Sequence, residues 1–528
     1  MKRRTLLGTA AAALALSRPH VARAQGARLL RFIPQADLST LDPHWNTAYV
    51  TRNHGFMVFD TLYGVDSAYR VSGQMVAGHT TEDNGKTWTL TLRPGMTWHD
   101  GTPVLARDCV ASLRRWGTKD AFGQVLMAAT DSLTAPDDRR IVFRLKYPFA
   151  LLPDALAKTG VYMPAMMPER LAKTDPTVQV TEMVGSGPFR FKADERVPGA
   201  RAVYERFAEY VPLASGTPSG TAGPKIVNLD RVVWNTTPDP ATAAAALQAN
   251  ETDWWEFASA DLAPLLRKNS QIKVQVGDPA GQAALLRMNW LQPPFNNPAI
   301  RRVVLKSVVQ SEFLTAMMGD DRTLWRDNAG AFTPGTPMAS DAGMDAITAP
   351  RDYDKLKQEL KDAGYKGETV ALIVPTDFPN LKALADVGAD MLRKIGMNVD
   401  YQAMDWGSVL TRRAKKDPVA QGGWSVFFTF SAGTDQMTPA TQLMMRGNGA
   451  NAWFGWPDDP KLEELRSAWF AAPDVAAQQQ VAAQLQLRVF DTVPFVPLGQ
   501  YFQPTAYRTS LSDILSGFAL FWNVKKSA

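Results

Sequence analysis

The sequence is poor in cysteine, with Cys109 the only one in 528 residues. A single cysteine excludes an internal disulfide, and no cysteine follows the amino-terminal leader to carry a lipid anchor. Cys109 falls within a predicted helix, residues 106–116, among apolar neighbours. We therefore expect a small, buried apolar side chain and not a nucleophile.

The sequence also lacks the motifs of catalysis and of cofactor binding. Gly85-Lys86-Thr87 ends like a phosphate-binding loop, but Thr80 stands where the leading glycine belongs. There is no HExxH pattern and no GxSxG pattern. The few histidines lack the i, i+4 spacing that presents two metal ligands on one helix face. The histidines beyond residue 24 are His44, His54, His79 and His99. Together, these absences predict that the protein is not an enzyme and that it needs no cofactor or metal.

Beyond the first 24 residues the chain has no excess charge of either sign. The formal net charge of the whole chain is +5, and the first 24 residues contain five basic residues and no acidic one. The remainder therefore carries 52 basic and 52 acidic residues. A neutral chain offers no electrostatic footprint for nucleic acid or anionic lipid, so we exclude nucleic acid as a partner.

Long hydrophobic runs are absent as well, apart from a short one at the amino terminus. Residues 6–16 are mostly apolar and follow three basic residues, and Ala22-Arg23-Ala24 fits a small-x-small cleavage site. A membrane-spanning helix needs about 20 apolar residues, so this stretch is too short to be an anchor. We predict a signal peptide over residues 1–24, cleaved between Ala24 and Gln25, and a soluble protein without a lipid anchor in the periplasm. Arg3-Arg4 leaves both the general and the twin-arginine export routes open.

What the sequence does contain is an alternation of strand-like and helix-like segments. The mature chain has 504 residues, enough for two or three domains. The alternation is clearest over residues 353–404, where short connections predict a parallel sheet covered by helices. One long helix is predicted over residues 298–318. The fold class is therefore α/β.

Four motifs, in this order along the chain, carry a resemblance to a known family. The most recognisable runs from Leu90 through Arg93-Pro94-Gly95 and Trp98-His99-Asp100-Gly101 to Pro103. The others are Gly185-Ser186-Gly187-Pro188-Phe189, then Asn289 with Pro294-Phe295, Pro298 and Arg301-Arg302, and finally Pro494 to Pro497. Together they resemble the extracytoplasmic solute-binding proteins of ABC importers, family 5, in the dipeptide-, oligopeptide- and nickel-binding branch. Gly95, Gly101 and Trp98 also have structural explanations, as turn and core residues, and we assign none of them to a ligand.

The resemblance implies a two-lobed periplasmic binding protein fold of type II, cluster C, with an extra inserted α/β domain. The first lobe is expected to be discontinuous, over 25–65, 185–281 and 495–528, with the inserted domain at 66–184 and the second lobe at 282–494. The implied function is capture of a small solute, which a hinge closure then presents to the inner-membrane ABC permease subunits. The family also implies a monomer.

Candidate ligand-binding residues lie in and after the strand predicted from residue 423. Peptide-binding members of the family place an aspartate shortly after a tryptophan, whereas this stretch has no carboxylate until Asp435. A buried ammonium group without a partner is costly, so the sequence argues against an ordinary peptide and for a partly apolar or aromatic ligand. The candidates are Trp424, Phe427, Thr429, Phe430 and Ser431, with Trp406 nearby and with Asp435 if a shifted loop brings it into the aspartate's place.

Three alternatives remain open at this point. The protein could be a di- or oligopeptide-binding member of the same family. It could instead be a secreted enzyme whose active site no single sequence reveals, which turnover of a bound candidate would show. It could also serve a chemoreceptor or act as a ligand chaperone, in which case no permease would co-purify with it.

Overall fold

Three β-sheets organise the chain in a computed structural model, which describes residues 28–527. The predicted signal peptide, with its cleavage site at Ala24 and Gln25, lies outside the described residues. No helix within residues 28–527 is long and apolar enough to cross a bilayer. Strands and helices carry separate numbers, β1–β21 and α1–α15, in chain order.

The first sheet has seven strands in the order β12-β19-β11-β1-β10-β9-β8. Its centre is parallel, since β1 pairs in parallel with both β10 and β11. The region built on this sheet is the first lobe. Its strands are β1 (Leu29–Ile33), β8 (Phe189–Phe191), β9 (Arg201–Arg206), β10 (Arg231–Asn235), β11 (Trp254–Trp255), β12 (Ile272–Val276) and β19 (Pro504–Arg508).

The second sheet has six strands in the order β14-β18-β13-β17-β15-β16, and the region built on it is the second lobe. Here β15 pairs in parallel with β16 and β17, while β17 runs antiparallel to β13. This mixed sheet confirms the parallel pairing predicted for residues 369–404. Its strands are β13 (Gln282–Met288), β14 (Trp325–Arg326), β15 (Thr369–Pro375), β16 (Asn398–Met404), β17 (Val426–Ala432) and β18 (Val496–Tyr501).

The third sheet is antiparallel, with the order β4-β5-β7-β6, and lies in the region predicted as the inserted domain. Its strands are β4 (Val76–Glu82), β5 (Thr87–Leu92), β6 (Thr130–Thr134) and β7 (Arg140–Leu145). Two short hairpin pairs complete the described strands: β2 (Tyr63–Val65) with β3 (Val71–Gly73), and β20 (Leu511–Ser512) with β21 (Lys525–Lys526).

Helices cover these sheets, and one sequence prediction about them was wrong. The single helix expected over residues 298–318 is two helices, because Val308 and Val309 both adopt extended backbone between them. The helices are α1 (Tyr49–Val58), α2 (Ala106–Trp116), α3 (Ala121–Ala129), α4 (Leu152–Leu156), α5 (Glu169–Ala172), α6 (Pro240–Gln248), α7 (Ala263–Leu266), α8 (Pro298–Ser307), α9 (Gln310–Met318), α10 (Asp345–Thr348), α11 (Tyr353–Asp362), α12 (Pro379–Lys394), α13 (Trp406–Arg412), α14 (Pro460–Ala471) and α15 (Val475–Thr492).

The chain passes between the first two sheets twice, after β12 and again after β18. The returning segment was expected to join the first lobe at residue 495, but β18 pairs with β13 and β14 of the second sheet. Only β19 pairs with the first sheet, so the crossing falls at residues 502–503. The other domain limits stay predictions.

The motif residues given structural explanations do have structural roles. Gly95 and Gly101 adopt positive φ of 79° and 85°, which a glycine reaches without strain. Trp98 is 1 % exposed, and its ring nitrogen donates to Asp108. Cys109 is fully buried and burial raises the pKa of its thiol, as expected of an unreactive core residue.

Helix α12 holds strand β17 in place through an unusually close approach. A methyl group on Gly388 would overlap the ring of Phe428, which also stacks on Phe313 of α9. Gly388→Ala is therefore expected to lower the free energy of unfolding by about 2 kcal/mol, because overpacking outweighs the better helix propensity of alanine. Denaturant unfolding measures this. In a Phe428→Leu background the same substitution should cost much less; an equal cost would contradict the close packing.

Candidate functional site

A cavity lies between the two lobes, with about 580 Å³ of empty space when the solvent at its opening is included. Gln35 and Ala36 reach it just after β1, and Thr47 to Val50 reach it from the start of α1. From the second lobe, Phe378 and Trp406 follow β15 and β16, and residues 429–431 end β17. The cavity thus sits beyond the carboxyl ends of parallel strands, which is where α/β proteins bind ligands.

Aromatic rings from both lobes form the walls. Tyr49 of the first lobe stacks on Phe430 of the second with their centroids 5.4 Å apart. Phe378 contacts Phe430 and Trp406 edge-on, at centroid distances of 5.6 and 5.5 Å. Trp453 adds a fifth ring. Such walls suit a ligand with an apolar or aromatic body.

Asp435 is the carboxylate of this cavity, and it is 4 % exposed. It accepts a hydrogen bond from the Tyr49 hydroxyl at 2.8 Å. Burial raises the pKa of Asp435, and the nearby ammonium of Lys158 opposes that rise. Within residues 28–527 no cation lies within 4 Å of the Asp435 oxygens, since Lys158 pairs with Asp120.

Arg413 is the cation of the cavity, and it caps the carboxyl end of α13. Its Nη2 donates to the Thr47 hydroxyl at 3.1 Å, and the guanidinium carbon lies 4.8 to 5.6 Å from the ring centres of Trp406, Trp453 and Phe454. Burial lowers the pKa of Arg413 to about 9, so the group is charged at neutral pH.

Most of the candidates predicted from the sequence line the cavity, but two do not. Trp406, Thr429, Phe430, Ser431 and Asp435 line it. Trp424 and Phe427 instead pack on each other in the core, at a centroid distance of 4.9 Å, with at most 1 % of either exposed.

The wrong expectation for Trp424 has a simple cause. The strand was predicted to start at residue 423, but β17 begins at Val426, so the two-residue alternation does not extend back to Trp424. Its ring lies beside Phe427 in the core, and its ring nitrogen donates to the carbonyl of Arg413. Trp424 therefore supports the end of α13 and does not face a ligand.

Four important lining residues were missed: Thr47, Tyr49, Phe378 and Arg413. Thr47 and Tyr49 lie at the start of α1, Phe378 follows β15 and Arg413 ends α13, all in segments without a distinctive pattern. Arg413 stands in a basic run at a helix end, where such residues are ordinary. The position of Phe378 just after the strand β15 was the one usable signal.

A second space, partly open to solvent, adjoins the first and shares Gln35 and Tyr49 with it. It is lined by segments that cross between the lobes and by Arg52, Glu256 and Asp278. Burial raises the pKa of Glu256 to about 7. In the described part of the chain, residues 28–527, no three His, Cys, Asp or Glu side chains are grouped to hold a metal ion.

Comparison with known proteins identifies the family. The family model of the bacterial extracellular solute-binding proteins, family 5, matches residues 70–453. The chain belongs to this family. The protein is thus an extracytoplasmic, non-enzymatic component of an ABC transporter, whose partners are a ligand and a membrane permease. This closes the enzyme alternative.

Individual relatives agree. The chain is 38 % identical, over 98 % of both chains, to the probable peptide ABC transporter periplasmic-binding protein y4tO of Sinorhizobium fredii. Its structure resembles that of AgaA from A. tumefaciens R10, solved with agropinic acid (TM-score 0.79, 20 % identity, 95 % and 99 % of the chains covered). It also resembles Haemophilus influenzae OppA, solved with the peptide RPPGFSPFR (TM-score 0.78, 16 % identity, 95 % and 99 % covered). The fold is the α/β periplasmic binding protein fold of cluster C, as predicted.

Proposed function

We propose that this protein captures a small organic solute in the cavity between its lobes and delivers it to an inner-membrane permease by hinge closure. The observation that carries the proposal is the cavity itself, whose aromatic walls come from both lobes. A ligand held there contacts both lobes at once, so it stabilises the closed arrangement that a permease can recognise. We propose a periplasmic monomer that needs no cofactor or metal.

The ligand we propose is partly apolar or aromatic, with hydrogen bonds from a few hydroxyl groups. Five aromatic residues line the cavity, and Thr429 and Ser431 line it with them. AgaA, with a similar fold, was solved with agropinic acid, so a peptide is not the only kind of ligand that the fold accommodates.

A di- or oligopeptide is the second candidate, and Asp435 favours it. The sequence argument against a peptide was the lack of a carboxylate in residues 424–431, but the chain turns after β17 and brings Asp435 into the cavity. This carboxylate could pair with a peptide ammonium group. The relative y4tO is named a probable peptide-binding protein, which agrees with this candidate.

The test begins with protein exported to the periplasm and purified without denaturation. Native mass spectrometry of this sample should show one or a few bound small molecules, and their release by unfolding permits identification. Adding the identified compound back to stripped protein should reduce the radius of gyration in small-angle scattering. An unchanged radius at saturation would argue against closure of the lobes, and turnover of the compound would argue against a transport role.

Asp435→Asn separates the two candidate ligand classes. If the ligand has an ammonium group at Asp435, the variant should bind it at least about tenfold more weakly in calorimetry, because a hydrogen bond between charged groups is lost. Affinity should then also fall as the pH falls through the raised pKa of Asp435, since protonation removes the same charge. Asp239→Asn, at an exposed helix cap, is the control. Unchanged affinity in Asp435→Asn would exclude an ammonium group at this position.

A further inference from the structure

We infer that Gly160 is a positioning residue for ligand capture, because its missing side chain leaves the space that the carboxylate of Asp435 occupies when the lobes are closed. Gly160 belongs to residues 157–162, the loop that directly follows α4 in the region predicted as the inserted domain. The inference rests on the proposed function, and it adds the inserted domain as a third part of the closed cavity.

The first observation is how closely the backbone of Gly160 approaches Asp435. A β-carbon built on Gly160 would overlap Oδ1 of Asp435 and would lie 2.5 Å from its carboxyl carbon. The three heavy atoms nearest to this added carbon all belong to the Asp435 carboxyl group. Any other residue at position 160 would therefore force the carboxylate out of its place.

The second observation is that the backbone itself does not require glycine here. Gly95 and Gly101 adopt positive φ, but Gly160 does not. An alanine can take up such a conformation without strain, and it makes the unfolded chain less disordered. The glycine at position 160 is thus explained by the approach of Asp435 and not by a turn.

The third observation is that the 157–162 loop is held in place by its own region. The Nζ of Lys158 donates to the carbonyl of Val161 at 2.7 Å and pairs with Asp120, which also caps the start of α3. The ring nitrogen of Trp116 donates to the carbonyl of Tyr162 at 2.7 Å. A loop tied at both ends by buried hydrogen bonds does not yield easily to an added methyl group.

The carboxylate is fixed from the other side as well. The hydroxyl of Tyr49, in the first lobe, donates to Asp435 at 2.8 Å. Burial raises the pKa of Asp435, and the ammonium of Lys158, on the same loop as Gly160, opposes this rise. The first lobe, the second lobe and the 157–162 loop therefore meet at one carboxylate, and a displaced Asp435 loses its bond from Tyr49.

The effect of an alanine at position 160 should depend on whether the lobes are closed. In an open protein Asp435 moves away with the second lobe, so the methyl group has nothing to overlap. In the closed protein either the carboxylate or the 157–162 loop must shift. The substitution should therefore act on ligand binding and not on the stability of the ligand-free fold.

The test is a titration of stripped Gly160→Ala protein. The probe is the protein-free extract that unfolding releases from the unmodified exported protein. The dilution that gives half of the maximal rise in melting temperature compares affinities before the compound is identified. Gly160→Ala should need at least about tenfold more extract, because a hydrogen bond to a charged group is lost. Without extract its melting temperature should be unchanged or slightly higher.

Two further variants separate positioning from a general effect of the substitution. Gly78→Ala, on β4 of the same region, is the matched control, since no heavy atom lies within 4 Å of its added carbon and its φ is not positive. It should bind the extract as the unmodified protein does. In an Asp435→Ala background, Gly160→Ala should cause no further loss, because the overlapping carboxylate is gone.

The outcomes distinguish this inference from the proposed function. If Gly160→Ala binds the extract like the unmodified protein, or loses as much affinity without the Asp435 carboxylate as with it, Gly160 does not position Asp435, while solute capture stands. A lower melting temperature of Gly160→Ala without extract would assign the glycine to the ligand-free fold and would also overturn the inference. If the extract does not stabilise even the unmodified protein, both the inference and the proposed function are wrong.

Discussion

Tyr49→Phe is expected to weaken ligand binding by about 100-fold, although only one oxygen atom is removed. Tyr49 belongs to α1 of the first lobe, and its hydroxyl reaches the end of β17 in the second lobe. There it donates to Asp435 at 2.8 Å, lies 3.2 Å from the Ser431 hydroxyl and accepts a hydrogen bond from the backbone N–H of Ala432. This hydroxyl is one of two polar links between the lobes at the cavity, the other being the hydroxyl of Thr47, which accepts from Arg413 and Trp453.

The expected size follows from what each partner loses. In a closed Tyr49→Phe protein, the buried carboxylate of Asp435 loses a donor and the N–H of Ala432 loses an acceptor. Such losses cost about 1.5 to 3 kcal/mol for the charged group and about 1 kcal/mol for the neutral one. In an open protein water would satisfy both groups, so the cost falls on the closed state. Because each 1.4 kcal/mol is a factor of ten, the affinity falls by roughly two powers of ten when binding requires closure.

Calorimetry with the compound identified from the native protein measures this effect. Tyr365→Phe is the matched control, since its hydroxyl also makes two hydrogen bonds, to Glu368 and Asn398, but lies outside the cavity. The control should bind as the unmodified protein does. Equal affinities in the two variants would mean that closure does not depend on the Tyr49 link.

The fold was largely predictable from the sequence because its strands have strong local patterns. Helix α2 was predicted at its observed limits, Ala106–Trp116, and β15 and β16 fall within the alternating segment predicted over residues 353–404. The helix break at Val308–Val309 was missed, because valine is compatible with the apolar face of a helix and neither glycine nor proline marks the break. Local pattern therefore predicted these elements well but did not reveal a break between two consecutive helices with apolar faces.

The site was only partly predictable, since it is assembled from both lobes. Residues at the end of β17 could be proposed because the carboxyl ends of parallel strands face the ligand in this architecture. Tyr49 and Arg413 could not, because 364 positions of sequence separate them and neither stands in a recognisable motif. The position of Asp435 depended on the turn after β17, whose path the sequence pattern does not specify.

Arg115→Met is expected to lower the free energy of unfolding by about 3 to 5 kcal/mol. Arg115 lies on α2 and donates to Asp42, which is fully buried on the segment after β1. The same guanidinium donates to the backbone carbonyls of Asp175 and Val178. Removing the cation leaves an uncompensated buried carboxylate, and a break of this kind in a buried pair has that cost.

Denaturant unfolding followed by tryptophan fluorescence measures the loss, and two further variants show its origin. Arg107→Met, on the same helix, removes an arginine that is mostly exposed and 3.7 Å from Glu169, so it should cost less than about 1 kcal/mol. Adding Asp42→Asn to Arg115→Met should recover part of the stability, because it removes the buried charge, although the single amide oxygen can accept from only one of the two backbone N–H groups, those of His44 and Val180, that the carboxylate binds. If the double variant is no more stable than Arg115→Met alone, the arginine stabilises the fold through its carbonyl contacts and not through its charge.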